Sequence, residues 1–456
     1  MKSDTSSWDA VIIGAGIGGC SAGALLADAG KKVLVLEKGE IGGRCRSFNY
    51  EGYTMDLGGH LLEDGALTKL YEKLGKELRL SPLSEGIRLW LRDKWIDPRE
   101  LYKNARADLR KISEEILSMS WDDLEKLNDV PLTDWVRART KSEGIMELFG
   151  IIGVLDFNLF TYDDIAASEF LALRKIFLQE RGMIVWSRYP VGGCIALVQP
   201  LADAIREKGG EIRTHSPVRE VLIEDGVVRG VEVEEPKVLP NEYAPGIRIE
   251  SPVVICTLPA WDLLTVLPKD KIPQWYQDKV NYIGDHRDCF FGFYAGTDKS
   301  IMGLTVYSSL KLPHTQLPGG ALEPSAYDPG LAPEGRHLVL CCAQCAERAD
   351  WLHDKDWLKV KTKELEADME EVFPDLKEHC LWKRWHVVDN FALLQKPGFV
   401  GSARPGFEIP GGKGLYLVSD TANIRGMGID ASTRAAISVV ERILGKRFPE
   451  FADVAH

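Results

Sequence analysis

The chain has 456 residues, of which 45% are hydrophobic and 27% charged, and its formal net charge is −12. These values are typical of a globular protein with room for two substantial cores. The acidic balance argues against a general nucleic-acid-binding surface, which needs a basic stripe. It also argues weakly against electrostatic attachment to anionic lipid. We therefore expect no nucleic-acid partner.

The sequence also limits the compartment and the membrane topology that we expect. No apolar run approaches the roughly 18–20 residues that span a bilayer, so no transmembrane span is predicted, although a peripheral membrane contact stays open. The N-terminus lacks the apolar region of a signal peptide. Nine irregularly spaced cysteines favour a reducing compartment, and we expect a cytoplasmic protein. The oligomeric state is left open.

Residues 10–37 follow the strand–turn–helix–strand pattern of a dinucleotide-binding unit. The apolar run at 10–13 is typical of a buried strand, and Gly14, Gly16 and Gly19 follow it with the spacing G-x-G-x-x-G. A helix pattern of small residues comes next, and a second apolar strand at 33–36 ends in Glu37. This order is one half of a Rossmann-like fold.

The physical chemistry of that unit indicates which ligand it takes. Gly14 allows the tight turn, Gly16 lets the backbone approach a pyrophosphate, and Gly19 lets helix and strand pack closely. Unpaired N–H groups and the positive dipole end at the helix start favour a phosphate. Glu37 is placed to accept hydrogen bonds from the adenosine ribose hydroxyls. Its carboxylate would repel a 2′-phosphate, so NADP is disfavoured.

Two further glycine pairs decide between NAD and FAD. Gly42-Gly43 precedes Arg44 directly after the acid, and Gly58-Gly59 follows soon afterwards. In this order the chain resembles the flavin-containing amine oxidase and phytoene desaturase superfamily of FAD-dependent oxidoreductases, which includes carotenoid desaturases. The resemblance implies that Gly43 and Arg44 lie along the FAD pyrophosphate and ribitol. It implies that Gly58 and Gly59 line the flavin ring.

The C-terminal part extends the resemblance. A strand pattern at 414–420 ends in Asp420, and a glycine turn and a helix follow. The resemblance implies that Asp420 binds ribitol or pyrophosphate hydroxyls, and that Met427, Gly428 and Ile429 direct N–H groups at the pyrimidine end of the flavin. A helix start there would stabilise the negative charge of reduced flavin. The family's usual glycine before the acid is Ser419 here.

By this resemblance the two distant ends of the chain form one long nucleotide site. Such a site favours FAD over NAD. In the middle of the chain, the resemblance implies that a backbone amide and carbonyl near Val218 face the adenine. The residues expected to bind FAD are Gly14, Ala15, Gly16, Ile17, Gly18, Gly19, Glu37, Lys38, Gly43, Arg44, Gly58, Gly59, Val218, Asp420, Met427, Gly428 and Ile429.

The expected fold class is α/β, with a Rossmann-like FAD-binding domain of two-layer or three-layer βαβ organisation interleaved with an α+β substrate domain. The FAD-binding domain is predicted to be discontinuous, with residues 1–70, 186–260 and 411–456. A helical insertion at 71–185 that covers the flavin and a sheet-containing segment at 261–410 form the predicted substrate domain. Together they are expected to enclose a mostly apolar chamber. The Pro- and Gly-rich stretch 312–335 is predicted to be a long surface loop or lid.

The cysteines indicate no metal or redox site. Cys342 and Cys345 have C-x-x-C spacing, but no second cysteine pair or histidine group completes a zinc site, so we expect buried structural thiols. Cys45 is expected near the flavin, and covalent attachment is left open.

The predicted function is that of an FAD-dependent oxidoreductase of the desaturase or dehydrogenase type, in the phytoene-desaturase-like branch. It would act on C–C or C=C bonds of a small, largely apolar substrate. Flavin amine oxidases commonly place an aromatic residue in the stretch that matches 422–428 to cage an amine, and this chain has none there. A hydrogen-peroxide-producing amine oxidase is therefore the alternative. A non-redox FAD-dependent isomerase or hydratase is a second alternative, and a non-enzymatic FAD-binding protein a third.

Three residues are candidates for catalysis. His60 follows the flavin-lining glycines and is the first candidate for a proton donor or acceptor. Arg188 and Arg425 are candidates to anchor a substrate carboxylate or to stabilise reduced flavin. For each residue a purely structural role is the alternative.

Overall fold

The computed structural model describes residues 2–4, 7–58, 61–62, 65–91, 93–157, 162–182, 188–234, 246–345 and 348–452. Strands within these residues form four sheets. The strands are β1 (Lys2–Asp4), β2 (Ala10–Ile13), β3 (Val33–Leu36), β4 (Ser47–Tyr50), β5 (Tyr53–Asp56), β6 (Gly86–Leu91), β7 (Lys94–Ile96), β8 (Glu211–Arg213), β9 (Val218–Glu224), β10 (Val227–Val233), β11 (Ile247–Glu250), β12 (Val254–Cys256), β13 (Phe290–Thr297), β14 (Thr305–Ser309), β15 (Gly319–Leu322), β16 (His337–Gln344), β17 (Cys380–Val388) and β18 (Leu415–Leu417).

The α-helices of the described residues alternate with these strands. They are α1 (Ile17–Asp28), α2 (Ala66–Leu74), α3 (Arg106–Ser118), α4 (Trp121–Glu125), α5 (Leu132–Arg137), α6 (Glu143–Phe157), α7 (Ala167–Arg181), α8 (Gln199–Glu207), α9 (Ala260–Leu263), α10 (Gln274–Gly284), α11 (Pro324–Tyr327), α12 (Lys355–Val372), α13 (Pro374–His379) and α14 (Gly428–Leu444). None of the helices described combines the length and the apolar character needed to cross a membrane.

A five-stranded parallel sheet unites the beginning, the middle and the end of the chain. Its order is β18-β12-β2-β3-β8, and every neighbouring pair runs parallel. The alternate residues of β2 and β3 belong to two different cores, so both faces of the sheet are covered. This is why both strands read as continuous apolar runs in the sequence.

The two faces of this sheet carry different layers. On one face α1 packs against α8 and α14 in a shared core. On the other face lie α9, α10 and strands of a four-stranded sheet in the order β1-β11-β10-β9. The molecule therefore has the three-layer, Rossmann-like arrangement expected, and the predicted α/β fold class is confirmed. The sheet draws strands from all three segments of the predicted FAD-binding domain, whose boundaries stay a prediction.

The remaining elements form a second sheet and a helical block. The second sheet has seven strands in the order β17-β13-β16-β15-β14-β6-β7, and α12 and α13 contribute to the core on one side of it. Helices α3 to α7 share a core of their own within the predicted helical insertion. A two-stranded ribbon of β4 and β5 leads from the first glycine turns towards α2.

The prediction that residues 312–335 form a surface loop or lid is wrong. This stretch contains β15, which lies inside the seven-stranded sheet between β14 and β16, and the buried side chains of Leu312 and Tyr327. A Cβ added at Gly319 would lie 2.6 Å from a carbonyl oxygen of β16, and one added at Gly320 would lie 2.5 Å from a carbonyl oxygen of β14. The glycines that suggest a loop in the sequence instead allow close strand contact.

Candidate cofactor site

The first glycine turn ends β2 at the carboxyl edge of the parallel sheet, and Glu37 braces it. Glu37 ends β3 and accepts hydrogen bonds from the Ala15 N–H at 2.9 Å and the Gly39 N–H at 2.8 Å. The N-cap of α1 is Gly16, and no side chain caps the helix. The start of α1 therefore presents backbone donors beside a buried carboxylate, which is the polarity that an adenosine diphosphate group requires.

The packing around the turn tests whether a dinucleotide fits. A Cβ added at Gly14, whose φ is +105°, would lie 2.4 Å from Thr257 Oγ1, and one added at Gly19 would lie 2.0 Å from the Gly14 carbonyl oxygen. A Cβ at Gly43 would lie 3.2 Å from the Gly16 Cα. The two glycine turns therefore approach each other backbone to backbone, with no side chain in the way. The residues fit a bound pyrophosphate.

The second glycine turn docks on the first and positions Arg44. The Gly42 N–H donates to the Ala15 carbonyl at 2.9 Å, and a short 3-10 helix at Gly43–Cys45 follows. The Arg44 guanidinium then forms a fork on Asp420, with Nη2–Oδ1 at 2.6 Å and Nη1–Oδ2 at 3.0 Å. Nη1 also donates to the Phe391 carbonyl at 2.5 Å. This fork joins the beginning of the chain to the end of β18.

Other predicted residues gather around the same edge. Gly58 lies beside the Phe391 ring, since a Cβ there would approach Cε2 at 3.0 Å. The segment that leads to Val218 runs beside Glu37, whose carbonyl accepts from the Ser216 N–H at 2.8 Å. Met427 is the N-cap of α14 and packs against the core of the helical block. The structure therefore brings Glu37, Arg44 and Asp420 into contact with or next to the two glycine turns, and the contacts of the predicted residues with a cofactor stay a prediction.

The structure describes two of the three candidates for catalysis. His60, like Gly59, lies outside the described residues. Arg188 pairs through its backbone with Leu62, at N–O distances of 2.8 and 2.9 Å, and its role stays a prediction. Arg425 is 8% exposed and binds Glu169 at 2.9 Å and Glu125 at 2.7 Å. These bonds give Arg425 a structural role at the turn before α14, and an anchoring role for it stays a prediction.

The sequence did not single out Asp56 as a functional residue, yet it is a buried hub at the end of β5. Its carboxylate accepts hydrogen bonds from Ser47 Oγ at 2.5 Å, from the Cys194 N–H at 2.9 Å and from the Tyr189 hydroxyl. Burial and the Asp56 charge raise the pKa of Tyr189 well above its usual value, so that hydroxyl remains a donor. The Tyr294 hydroxyl donates to the Asp56 carbonyl at 2.8 Å. Asp56 thus connects three parts of the fold. It binds the segment with Tyr189 and Cys194 that returns from the helical block, and its carbonyl binds Tyr294 of the second sheet.

The cysteines behave as structural thiols. Cys345 lies beside Cys289, with the sulfur atoms 3.5 Å apart, rather than forming a site with Cys342. Within the residues that the structure describes, no group of three or more His, Cys, Asp or Glu side chains is arranged to hold a metal ion. Burial raises the pKa of Cys45 to about 12, so this thiol near the glycine turns is protonated at neutral pH.

Comparison with known proteins gives the family. The profile of the flavin-containing amine oxidoreductases matches residues 17–444. The chain belongs to this family. The resemblance inferred from the glycine motifs is therefore confirmed, and a flavin cofactor follows from family membership.

Two curated relatives and one solved structure are similar to this chain. A 4,4'-diapophytoene desaturase (4,4'-diapolycopene-forming) of Methylomonas sp is 26% identical over 63% of this chain and 61% of its own length. A chloroplastic prolycopene isomerase 1 of an Oncidium hybrid cultivar is 24% identical over 96% of this chain and 84% of its own. The match thus spans less than two thirds of the desaturase. A crystal structure of an oxidoreductase from Methanosarcina mazei shares the fold, with a TM-score of 0.74, 20% identity and coverage of 96% and 100% of the two chains.

Proposed function

We propose that this flavin-containing amine oxidoreductase binds FAD and acts as a phytoene-desaturase-like oxidoreductase on C–C or C=C bonds of a largely apolar small molecule. The observation that carries the proposal is the fork between Arg44 and Asp420 at the carboxyl edge of the parallel sheet. It joins the second glycine turn to the segment between β18 and α14, and we propose that both belong to one cofactor site. The 422–428 stretch that follows Asp420 has no aromatic residue, which disfavours an amine cage.

Each part of the path has a distinct task in the proposed complex. Glu37 would hold the ribose hydroxyls, and the N-terminus of α1 would hold the pyrophosphate. Arg44 and Asp420 would bind the ribitol and pyrophosphate region, and the start of α14 would face the pyrimidine end of the ring. When bound, the flavin supplies two-electron redox chemistry. The protein residues supply orientation, and the donors at α14 stabilise negative charge at the ring.

The cofactor test compares two neighbouring glutamates. We expect the purified protein to be yellow and to release FAD, not FMN, on denaturation. Glu37→Gln should weaken FAD binding at least tenfold, because a carboxylate acceptor is lost from a buried site. Glu40→Gln is the matched control, since Glu40 is 70% exposed and pairs with His215 outside the glycine turns. Protein that stays colourless and takes up no FAD would refute the proposal.

The reaction test separates net oxidation from isomerisation. Under anaerobic conditions a desaturation substrate should bleach the flavin, and apolar polyenes are the first panel. An isomerase is the second candidate, because the similarity to the prolycopene isomerase extends over 96% of this chain. An isomerase would need pre-reduced flavin and would leave the product at the oxidation level of the substrate. Hydrogen peroxide released with amines would indicate amine oxidation instead. The variant His60→Ala tests the proposed proton-transfer role, which predicts loss of turnover with unchanged FAD content. We also propose that the protein is cytoplasmic.

A further inference from the structure

A cavity of about 750 Å³ lies between the helical block and strands β6 and β14 of the second sheet, and none of the residues expected to bind FAD lines it. Its floor is apolar and includes Leu89, Leu109, Leu148 and Ile152, all of them buried at 8% exposure or less. The last three belong to the core of the helical block. The volume is within the roughly 300–1,000 Å³ of pockets that enclose small-molecule ligands.

One face of α3 forms the upper wall of this cavity. Arg106, Leu109, Arg110 and Ser113 line it at spacings of three, four and seven residues, so a single helix face carries both the apolar floor and two guanidinium groups. Arg106 and Arg110 are exposed, and no carboxylate among the described residues pairs with either. Asp108, in the same first turn, instead accepts from Thr140 Oγ1 at 2.9 Å.

Two more arginines line the cavity and share one carboxylate. Arg88 binds Asp97 Oδ2 at 2.8 Å, and Arg99 binds the same oxygen at 2.5 Å. Hydrogen bonds from Arg99 and then Arg88 hold the pKa of Asp97 well below its usual range. The cavity lining thus contains four arginines against two acids, Asp97 and Glu85, in a chain whose net charge is −12.

An arginine pair with no carboxylate partner, at the start of a helix, is unfavourable by itself. The like charges of Arg106 and Arg110 repel at i,i+4 spacing, and both lie near the positive end of the α3 dipole. A bound anion would relieve both effects, and guanidinium forks match a carboxylate. The apolar residues of the same cavity favour a ligand that also carries an alkyl chain.

We propose that this arginine-rimmed cavity binds a long-chain carboxylate, with the alkyl chain on the floor and the carboxylate between Arg106 and Arg110. The site goes beyond the proposed redox function, because binding at it requires neither bound flavin nor turnover. The ligand is held as a single molecule, so binding occurs below the concentration at which the amphiphile forms micelles.

The test measures binding of oleate by titration calorimetry, with oleyl alcohol as the uncharged analogue and acetate as the charge without a chain. Oleate should bind one to one and weaken with added salt, oleyl alcohol should bind at least tenfold more weakly, and acetate should not bind detectably. The double variant R106A/R110A should reduce oleate affinity at least tenfold and leave oleyl alcohol unchanged. Both arginines are exposed, and their mutual repulsion is lost in the variant, so it should fold with a melting temperature equal to or slightly above that of the original protein.

The control variant is Arg137→Ala, an exposed arginine of α5 that does not line the cavity, and it should bind oleate like the original protein. A diazirine-bearing fatty acid should label peptides from residues 83–110 or 143–157 on irradiation. Equal affinity for oleate and oleyl alcohol would overturn the proposal. So would full oleate affinity in R106A/R110A, or labelling confined to other peptides. FAD content and flavin bleaching are measured separately, so failure here is distinct from failure of the proposed function.

Discussion

Replacement of Gly19 by alanine offers the sharpest test of how the glycine turn is built. Gly19 lies in the first turns of α1, and its added Cβ would lie 2.0 Å from the Gly14 carbonyl oxygen. A real Cβ does not approach closer than 3.0 Å, so helix and turn must separate by about 1 Å. Overpacking against backbone costs about 3 kcal/mol, which the better helix propensity of alanine offsets by about 1 kcal/mol. We expect a net loss of about 2 kcal/mol.

The same displacement would move the α1 N–H donors away from the pyrophosphate that we propose they bind. Loss of one hydrogen bond to a charged group costs about 1.5–3 kcal/mol, so FAD binding to apo-protein should weaken by about 10- to 100-fold. Isothermal titration with FAD measures the affinity, and denaturant unfolding of apo-protein measures the stability.

Gly23→Ala is the matched control in the same helix. Gly23 is also buried, but its Cβ would meet the terminal methyl carbon of Ile205 at 2.7 Å, and that flexible side chain can move aside. We expect a stability change within about 1 kcal/mol and unaltered FAD affinity. The reasoning is refuted if Gly19→Ala and Gly23→Ala have the same stability and bind FAD equally well.

Three other predictions follow from buried groups. Asp56→Asn should lower the free energy of unfolding by about 1–3 kcal/mol, because it weakens an acceptor for three donors. The exposed Asp225→Asn is the control and should change this free energy little. Equal effects of the two variants in urea unfolding would contradict the prediction. Arg425→Gln should cost about 3–5 kcal/mol by removing the guanidinium that binds the buried Glu169 carboxylate, and adding Glu169→Gln should recover part of that loss. Additive costs in a double-mutant cycle would disprove the coupling. Burial raises the pKa of Cys45 from 9.0 to about 12, so its stabilising contribution should be complete below pH 9 and lost as pH rises towards 12. At pH 8 we expect iodoacetamide to alkylate it only after unfolding, as mass spectrometry can show; rapid labelling of folded protein would contradict the burial.

The elements of the nucleotide site could be predicted because local rules determine them. The apolar runs of β2 and β3 and the glycines between them specify strand, turn and helix within one short stretch. The predicted pairing of the two chain ends rests on Asp420 at the end of a strand pattern, and the structure places that residue on Arg44.

Long-range packing set the limit of prediction elsewhere. Gly319 and Gly320 look like loop residues, yet they permit β15 to lie between β14 and β16 inside the second sheet, and the sheet position of β14 depends on its pairing with the distant β6. Asp56 has an ordinary position in the glycine-pair motif, and only the folded chain brings Tyr189 and Cys194 to its carboxylate. Neither arrangement has a periodic signature within one segment, because the partners are brought together by the fold.

Two ion pairs a few residues apart connect the turn between β18 and α14 to the second glycine turn and to the helical block. Asp420 binds Arg44 of the second glycine turn, and Arg425 binds Glu169 of α7. The Glu169 carboxylate also accepts from the Gly426 N–H at 3.1 Å, so α7 directly fixes the backbone that leads to the start of α14. A change in the helical block that moves Glu169 must therefore move this backbone or break buried hydrogen bonds. Substitutions on α7 should consequently displace the start of α14, which we propose faces the flavin ring.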